Sequence, residues 1–444
     1  MLEVVRTAGQ PVHDGQPVLV LEAMKMEHEI VAPGSGVVHE VTVSAGQTVQ
    51  EGDLLAVLES ADDQVSDQPP PESSPDHPRE DLEAVRERHA LTQDQARPEA
   101  TESRHEQGRR TARENLADLI DPESFVEYGP LIFAAQEQRR GKEELIQRTP
   151  ADGLVGGTAR IQGRPAVVMS YDYTVLAGTQ GMRNHLKKDR LFELAERRRL
   201  PVVLFAEGGG GRPGDVDWPH VAGLDCRAFH LFAQLSGLVP LIGIASGYCF
   251  AGNAALLGCC DVVIATEDSS IGMGGPAMIE GGGLGTFAPQ DVGPIDVQYS
   301  NGVVDLRVQD DAEAVQTARR YLAYFHGPGE PTAPPDPAVL QTLIPANRRR
   351  IYDTREVINS LVNDVLELRR GFGPGMVTAL ARHQGRPLGV IANDPSHLGG
   401  AIDAEGADKA ARFMQLCDAF ALPILFLCDT PGFMVGPEAE KTAT

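Results

Sequence analysis

The sequence predicts a multidomain protein in which a small all-β domain precedes a larger α/β domain that is duplicated within the chain. Three observations support this prediction. A short pattern near the N-terminus occurs twice, a longer pattern in the rest of the chain also occurs twice, and an acidic, proline-rich segment separates the two repeats. With 444 residues, the chain is long enough for several domains that each bury a core.

The first repeat predicts the β domain. The segment from Glu3 to Glu22 (EVVRTAGQPVHDGQPVLVLE) matches the segment from Glu40 to Glu59 (EVTVSAGQTVQEGDLLAVLE) without a gap. Each copy reads as strand, two glycine turns and strand, which favours a compact β-structure with internal two-fold symmetry. The strand VAPGSGVVH precedes the second copy, and its counterpart would lie before residue 1. We therefore expect this domain, residues 1–59, to lack its first strand.

An extended linker is predicted over residues 60–80. The segment SADDQVSDQPPPESSPDHPRE is acidic, rich in proline and poor in apolar residues, a composition that cannot form a packed core. A linker of this kind suits a domain that travels between sites. Its composition is equally compatible with the simple separation of two domains.

The second repeat predicts a duplicated α/β domain. IQGRPAVVMSYDYTVLAG from Ile161 matches HQGRPLGVIANDPSHLGG from His383, and RLPVVLFAE from Arg199 matches ALPILFLCD from Ala421. Both matches have the same offset, and each copy reads as apolar strands that bracket a helix, as in stacked ββα units. The first copy continues far beyond its second strand, whereas the second stops shortly after it. We therefore expect one domain over residues 81–340 and a second, truncated domain over residues 341–444.

Composition and charge exclude several classes of function. The formal net charge of −24 argues against nucleic acid as a partner. No run approaches the roughly 20 apolar residues of a membrane span, and the N-terminus has no secretory pattern. The six cysteines lack metal-ligand spacing and are typical of reduced thiols. We therefore expect a cytoplasmic protein with no metal site and no membrane partner.

The residues between the two short repeats carry a specific motif. LEAMKMEHEI (Leu21–Ile30) places Lys25 in the turn between two strands, with a methionine on each side. This motif and its glycine turns resemble the biotinyl domain of biotin-dependent carboxylases, which has a barrel-sandwich hybrid fold. The resemblance implies that Lys25 receives biotin through an amide bond. Flexible thioethers would supply adaptable apolar surface beside it. The alternative is an ordinary surface lysine on a hairpin.

Five segments of the larger domain resemble the carboxyltransferase component of acyl-CoA carboxylases, which consists of two crotonase-like ββα superhelix domains. They are TARENLADLIDPESFVEYG (Thr111–Gly129), DYTVLAGTQG (Asp172–Gly181), SGYCFAGNAALLGCCD (Ser246–Asp261), GMGGPAMIEGGGLG (Gly272–Gly285) and DTPGFMVGPEAE (Asp429–Glu440). Their order and the duplication make the resemblance specific. The arrangement is similar to single-chain acyl-CoA carboxylases of the long-chain type. We therefore expect the chain to be a fragment of such an enzyme, truncated at both ends.

The chemistry of this family requires backbone N–H donors for a thioester oxygen and small residues that allow close approach. Matching the family pattern backwards from Asp261 puts the oxyanion pair on Ala251 and Gly252, although the family usually has two glycines there. The resemblance also implies that a glycine loop lines the active site, and that nearby lysines are candidates for contacts with the CoA phosphates. These residues are Gly208, Gly209, Gly210, Gly211 and Arg212 for the loop, and Lys187 and Lys188 for the phosphates. The alternatives are tight packing at a strand–helix turn and a flexible surface loop.

The implied function is transfer of CO₂ from carboxybiotin on Lys25 to the α-carbon of an acyl-CoA, the carboxyltransferase half-reaction of an acyl-CoA carboxylase. The implied partners are an acyl-CoA, a biotin protein ligase, and a biotin carboxylase domain that uses ATP and bicarbonate and is expected upstream in the same chain. A homo-oligomer is expected when the enzyme is complete. The second oxyanion loop would fall beyond Thr444, so the chain as given is not expected to be fully active. Two alternatives stay open: a non-catalytic biotin carrier or remnant, and the carboxyltransferase of a biotin-dependent decarboxylase.

Overall fold

A computed structural model of the chain describes residues 3–60, 79–217, 226–333, 336–347 and 349–442. It divides into two compact units, Met1–Glu83 and Ala84–Thr444. Most of the predicted linker (61–78) lies outside the described residues, as do Met1 and Leu2. The second unit is continuous across the boundary predicted at residues 340 and 341. No helix among the described residues is both long and apolar enough to cross a bilayer.

The first unit is a β-structure whose described strands form two three-stranded sheets. The strands are β1 (Glu3–Val4), β2 (Pro11–Val12), β3 (Pro17–Ala23), β4 (Met26–Val31), β5 (Gly36–Val41) and β6 (Ala56–Ser60). The sheets have the orders β1-β3-β4 and β2-β5-β6. Side chains alternate between the two faces of a strand, and the inward ones form a small core. This core contains Val12, Val18, Leu19, Ala32, Val38 and Val43.

The two short repeats fold alike. Gln10 Oε1 accepts the N–H of Thr7 at 2.8 Å, and in the second copy Gln47 Oε1 accepts the N–H of Ser44 at 3.1 Å. The paired glycine turns also match, since Gly9, Gly15, Gly46 and Gly52 all have a positive φ. Glycine adopts this conformation without a steric penalty, which explains the spacing of glycines in the sequence.

The second unit contains three sheets. Its strands are β7 (Val126–Glu127), β8 (Leu154–Ile161), β9 (Arg164–Tyr171), β10 (Val202–Phe205), β11 (Leu241–Ala245), β12 (Tyr248–Phe250), β13 (Val262–Thr266), β14 (Ser270–Gly272), β15 (Leu306–Val308), β16 (Asn363–Leu368), β17 (Met376–His383), β18 (Arg386–Asn393) and β19 (Ile424–Leu427). The described strands form a seven-stranded sheet in the order β15-β13-β11-β10-β9-β8-β7, a pair β12-β14, and a four-stranded sheet β16-β17-β18-β19. Strands β9, β10, β11, β13 and β15 are parallel.

Helices lie between most of these strands. They are α1 (Glu80–Ala90), α2 (Pro98–Glu106), α3 (Ala112–Leu119), α4 (Lys142–Arg148), α5 (Met182–Arg198), α6 (Ala228–Ala233), α7 (Gly252–Gly258), α8 (Pro276–Gly281), α9 (Ile295–Ser300), α10 (Asp311–Ala323), α11 (Pro337–Leu343), α12 (Thr354–Leu361), α13 (Ala404–Ala419) and α14 (Pro437–Glu440). The start of α3 is fixed by a capping box. The hydroxyl of Thr111 accepts the N–H of Glu114 at 3.1 Å, and the carboxylate of Glu114 accepts the N–H of Thr111 at 2.8 Å.

The core of the second unit lies on both faces of the seven-stranded sheet. Val202 and Leu204 point into one apolar cluster, and their neighbours Val203 and Phe205 point into another. The second cluster also contains Leu380 and other residues of the four-stranded sheet. One continuous core therefore joins the two predicted carboxyltransferase domains.

The long repeat is reproduced residue by residue. Strands β8, β9 and β10 reappear as β17, β18 and β19, with every bound shifted by the same offset, and α5 and α13 begin at that offset too. In both copies a two-residue turn of Gln and Gly with positive φ joins the first two strands, Gln162–Gly163 and Gln384–Gly385. Such turns match the twist of a hairpin. The predicted α/β class with a duplicated ββα unit is confirmed.

Candidate functional site

Lys25 lies in the two-residue turn between β3 and β4. Ala23 pairs with Met26, so Met24 and Lys25 form the turn, and both have a positive φ, 54° and 67°. Hairpin turns of this type usually contain glycine or asparagine, because other residues are strained in that conformation. Met24 is 99% exposed and Met26 is 64% exposed. The turn therefore presents Lys25 to solvent on a small apolar tip.

The predicted oxyanion residues lie where β12 ends and α7 begins. Ala251 is held at φ 52°, ψ −120°, and its N–H donates to the carbonyl of Gly272 at 3.0 Å. The N–H of Gly252, by contrast, has no acceptor among the described residues. The structure therefore brings the two residues together but leaves only Gly252 with an uncommitted donor in this conformation.

The four consecutive glycines of the loop after β10 have different structural needs. A side chain on Gly208 would overlap the carbonyl of Gly178 and the amide of Asn253, and one on Gly210 would lie 2.6 Å from Cβ of Ala251. Gly209 and Gly211 are exposed, and a Cβ on Gly211 would meet nothing within 4 Å. Packing therefore explains Gly208 and Gly210, whereas nothing in the described structure requires glycine at position 211.

Arg212 is an anchor for this loop inside the protein. Its side chain is 4% exposed and forms an ion pair with the fully buried Asp152. It also donates to the carbonyl of Thr179 at 2.9 Å and lies 3.5 Å from the carboxylate of Asp215. Burial raises the pKa of Asp152, and the Arg212 charge opposes that rise. In this conformation the guanidinium faces buried carboxylates rather than the exposed side of the loop.

The two lysines proposed for CoA phosphates are also buried. Lys187 donates to the carbonyl of Leu154, and Lys188 donates to Oη of Tyr171 at 2.7 Å and to Oε1 of Gln180 at 3.0 Å. Burial lowers the pKa of Lys187 to about 8 and that of Lys188 to about 7. Both ammonium groups lie inside the protein, so a phosphate outside the chain cannot reach them without a rearrangement. The sequence gives no local sign of this burial, because both lysines lie in a charged helical segment of the kind that is usually exposed.

An open cavity of about 700 Å³ lies beside the glycine loop and was not predicted. Leu176 lines it, and the next residue, Ala177, accepts the N–H of Gly209 at 3.0 Å. Arg140 and Arg148 also line it, with side chains 42% and 63% exposed, and both pair with the single carboxylate of Glu144. These two arginines and Glu144 leave one positive charge at this edge of the rim, while Glu99 lines another part of the cavity. Only the fold places these arginines beside a loop that lies much further along the chain.

These features describe a surface at which a ligand can approach the backbone. Ala177, Gly209 and Gly211 are exposed, Gly252 is half-buried, and all four are small. The basic cavity begins next to Ala177. A molecule with an anionic part and a carbonyl oxygen matches this combination of exposed arginines and the free N–H of Gly252.

Comparison with known proteins assigns the chain. The family model described as the carboxyl transferase domain matches residues 103–443. The chain belongs to the carboxyl transferase domain family. A second model, described as biotin-requiring enzyme, matches residues 1–58. The presence of both domains indicates covalently bound biotin as the cofactor of this carboxyl transferase.

Three relatives illustrate the similarity of this carboxyl transferase to known proteins. The biotin-dependent long chain acyl-coenzyme A carboxylase beta4 subunit of Mycobacterium tuberculosis is 34% identical over 380 residues, 82% of this chain and 70% of that one. A structure of a single-chain, multi-domain long-chain acyl-CoA carboxylase is 54% identical with a TM-score of 0.79, and the match covers 100% of this chain and 43% of that one. A transcarboxylase 12S crystal structure, described as a hexamer with hydrolysed methylmalonyl-CoA bound, has a TM-score of 0.72 at 30% identity over 82% and 72% of the two chains. The chain spans about two thirds of the length of the curated relatives it matches.

The first unit has the geometry that covalent attachment of biotin requires. An amide bond needs an accessible, nucleophilic lysine amine, and Lys25 is exposed at the end of a hairpin. In the described part of this carboxyl transferase, the other lysines are either buried or lie outside the biotin-requiring domain. Lys25 is therefore the residue whose position fits the cofactor.

Proposed function

We propose that this protein transfers a carboxyl group between biotin held on Lys25 and the α-carbon of an acyl-CoA. The proposal rests on one observation, that a single chain contains both a site for attaching biotin and a surface that suits an acyl-CoA. The biotin-requiring domain presents a lysine on an exposed tip, and the carboxyl transferase domain presents the uncommitted backbone N–H of Gly252 together with a cavity lined by exposed arginines.

The N–H of Gly252 supplies the polar chemistry at the substrate. When a proton leaves the α-carbon, negative charge moves to the thioester oxygen, and a positioned N–H stabilises that charge in a site with little water. Ala251 and Gly252 are small enough for the thioester to lie against the backbone. Bound biotin would supply the carboxyl group, and the residues of this chain orient the acyl-CoA.

The exposed arginines of the rim bind the CoA phosphates in this proposal. Arg140 and Arg148 share one carboxylate, so one positive charge remains uncompensated between them. An arginine guanidinium binds phosphate through two parallel hydrogen bonds. These residues replace Lys187 and Lys188 as candidates for the phosphate contacts, because they reach solvent.

The remaining partners follow from the chemistry and the relatives. A biotin protein ligase would attach the cofactor, and a biotin carboxylase domain would supply the carboxyl group from bicarbonate and ATP. Hexamers are described for transcarboxylase 12S. We extend this to a homo-oligomer for the complete form of the present protein.

The proposal is tested with the full chain, co-expressed with a biotin ligase. Intact mass spectrometry first determines whether the wild type carries one biotinyl group that Lys25→Arg lacks. The biotinylated protein is then incubated with malonyl-CoA or methylmalonyl-CoA labelled in the free carboxyl group. We expect label on the wild type and none on Lys25→Arg.

Each other outcome has a definite meaning. If Lys25→Arg still transfers label to added free biotin while carrying none itself, the transferase is active and Lys25 is its carrier. If the wild type is biotinylated but transfers no label to any acceptor, the protein is a carrier only and the transferase assignment is withdrawn. If Lys25→Arg is biotinylated, the attachment site is elsewhere.

A further inference from the structure

Lys188 is a fully buried lysine without a salt bridge among the described residues. It is 0% exposed, and among the described residues its amine donates to the hydroxyl of Tyr171 and the side-chain carbonyl of Gln180 and lies 5.3 Å from the centre of the Tyr171 ring. An unpaired buried cation costs stability, so its presence calls for another reason. We propose that Lys188 is a positioning residue that holds the glycine loop against the start of α7 through Gln180 and Asn253. The inference rests on the proposed function, because this loop borders the substrate surface.

Lys188 begins a chain of hydrogen bonds that leads to the loop. When protonated it can only donate, and Gln180 presents its oxygen to Lys188 and its NH₂ to Asn253 Oδ1 at 3.3 Å. The same oxygen of Asn253 accepts the N–H of Gly210 at 3.1 Å. Its NH₂ group then faces the carbonyls of Gly178 and Glu207, at 3.3 and 3.5 Å. Lys188 at one end of this chain and the N–H of Gly210 at the other thus favour the same orientation of the two side-chain amides.

The chain of hydrogen bonds ends at the substrate surface. The backbone of Gln180 donates to Gly210 at 2.7 Å and accepts from Arg212 at 3.0 Å, so the loop pairs with this residue on both sides. A Cβ on Gly252 would lie only 3.1 Å from Nε2 of Gln180. The side-chain amide of Gln180 therefore packs against Gly252, and the loop packs against the same turn, since a Cβ on Gly210 would lie 3.5 Å from the nitrogen of Gly252.

The second copy of the repeat shows that the fold does not require these side chains. In the gapless alignment of the two copies, Ala410 stands for Lys188 and Ile402 for Gln180. The backbone pairing is nevertheless retained, because Ile402 donates to Gly432 at 3.0 Å and accepts from Met434 at 2.8 Å. The same backbone thus forms with two apolar residues. The hydrogen-bond chain from Lys188 is therefore not needed to set the backbone path of the first loop, and we assign it to holding that loop in position.

The test compares two buried lysines in the biotinylated full chain. Lys188→Met breaks the polar chain, and Lys409→Met removes the buried lysine of the second copy, which donates to the carbonyl of Phe372 at 2.9 Å. We expect kcat for carboxyl transfer to fall about tenfold or more in Lys188→Met, with KM for the acyl-CoA within about threefold of the wild type. Lys409→Met should keep the wild-type kcat.

A double-mutant cycle separates positioning from general damage. Gln180→Met interrupts the same chain one step later. If both residues act in series, the double variant loses no more activity than the more damaging single variant. The inference would be overturned if the losses of kcat in the two single variants multiplied in the double variant. A wild-type kcat in Lys188→Met, or an equal loss of kcat in Lys409→Met, would also overturn it.

Hydrogen exchange makes the test independent of activity. The amides of residues 208–212 should exchange faster in Lys188→Met than in the wild type or in Lys409→Met. If the wild type transfers no carboxyl group but this exchange difference appears, the proposed function has failed while the positioning of the loop stands. If the exchange rates are equal in all three proteins, Lys188 does not hold the loop.

Discussion

The two ββα copies share a backbone but differ in what they offer a ligand. In both, an aspartate after the second strand accepts a hydroxyl and an N–H from the residue two positions on, Asp172 with Thr174 and Asp394 with Ser396. Each aspartate also forms a salt bridge with an arginine, Asp172 with Arg97 at 2.7 Å and Asp394 with Arg355 at 2.8 Å. A buried lysine also recurs in the helix, at Lys187 and Lys409. These shared groups belong to the framework that the two copies have in common.

The differences are concentrated in the loop after the last shared strand. Four glycines in the first copy stand where the second has Thr430, Pro431, Gly432 and Phe433, and the side chain of Phe433 is 65% exposed. The residues that adjoin the first loop are polar, whereas their counterparts are apolar. Duplication thus acts as an internal control, because what only one copy contains is not required by the common fold.

Gly208→Ala should have the strongest consequence, a loss of stability. The new methyl group would overlap the carbonyl of Gly178 and the amide of Asn253, so we expect the free energy of unfolding to fall by about 3 kcal/mol. Urea denaturation of the full chain measures the change. Thr430, the counterpart in the second copy, carries a side chain without this overlap. An unchanged stability in Gly208→Ala would show that the two loops are less different than the structure indicates.

Gly211→Ala should come next, with an effect on activity alone. A Cβ at this position meets no protein atom within 4 Å, so stability should equal that of the wild type. If substrate lies against the loop, however, the added methyl group should lower kcat/KM for the acyl-CoA about tenfold. Gly211→Phe, which copies the second loop, should abolish transfer. Normal transfer kinetics in Gly211→Phe would place the substrate elsewhere.

The buried lysine of the second copy should make stability depend on pH. Burial lowers the pKa of Lys409 from 10.5 to about 8, so between these values the unfolded chain binds more protons and stability rises with pH. This lysine should add about 1 kcal/mol to the free energy of unfolding between pH 7 and 9. Comparing wild type with Lys409→Met isolates its contribution from the cysteines, whose burial acts in the opposite direction above about pH 9.

The same stability difference at both pH values would mean that Lys409 titrates normally and is solvated. Lys188→Met offers a second comparison, since the pKa of Lys188 lies lower, at about 7. Its contribution should therefore begin to appear at a lower pH than that of Lys409.

A change at the rim of the basic cavity should matter least. Arg148→Met should raise KM for the acyl-CoA about threefold and leave kcat unchanged, because one exposed phosphate contact contributes little and is screened. The increase should shrink in high salt. Arg350→Met is the matched control, since Arg350 lines a separate cavity of about 520 Å³ beside Pro395 and Gly399 in the second copy. An equal rise in KM for both variants would show that the cavity beside the glycine loop has no special role in binding the acyl-CoA.

Much of the fold could be predicted from the sequence. The constant offset between the two long copies located two strands and the helix between them in each, because hydrophobic periodicity is a local signal. The turn at Lys25 was predicted for the same reason. The domain boundary at residues 340 and 341 stays a prediction, and the structure adds that one core contains both Phe205 and Leu380, from the two sides of it.

The candidate site was predicted as a set of residues but not as an arrangement. Local patterns were enough to identify the segments with a lysine between methionines, a run of glycines, and small residues at a strand–helix turn. The folded chain was needed to show that the N–H of Ala251 is taken by Gly272, that Lys187 and Lys188 are buried, and that Arg140 reaches the rim. Burial and hydrogen-bond partners depend on contacts between segments far apart in the chain, and no local pattern encodes those contacts.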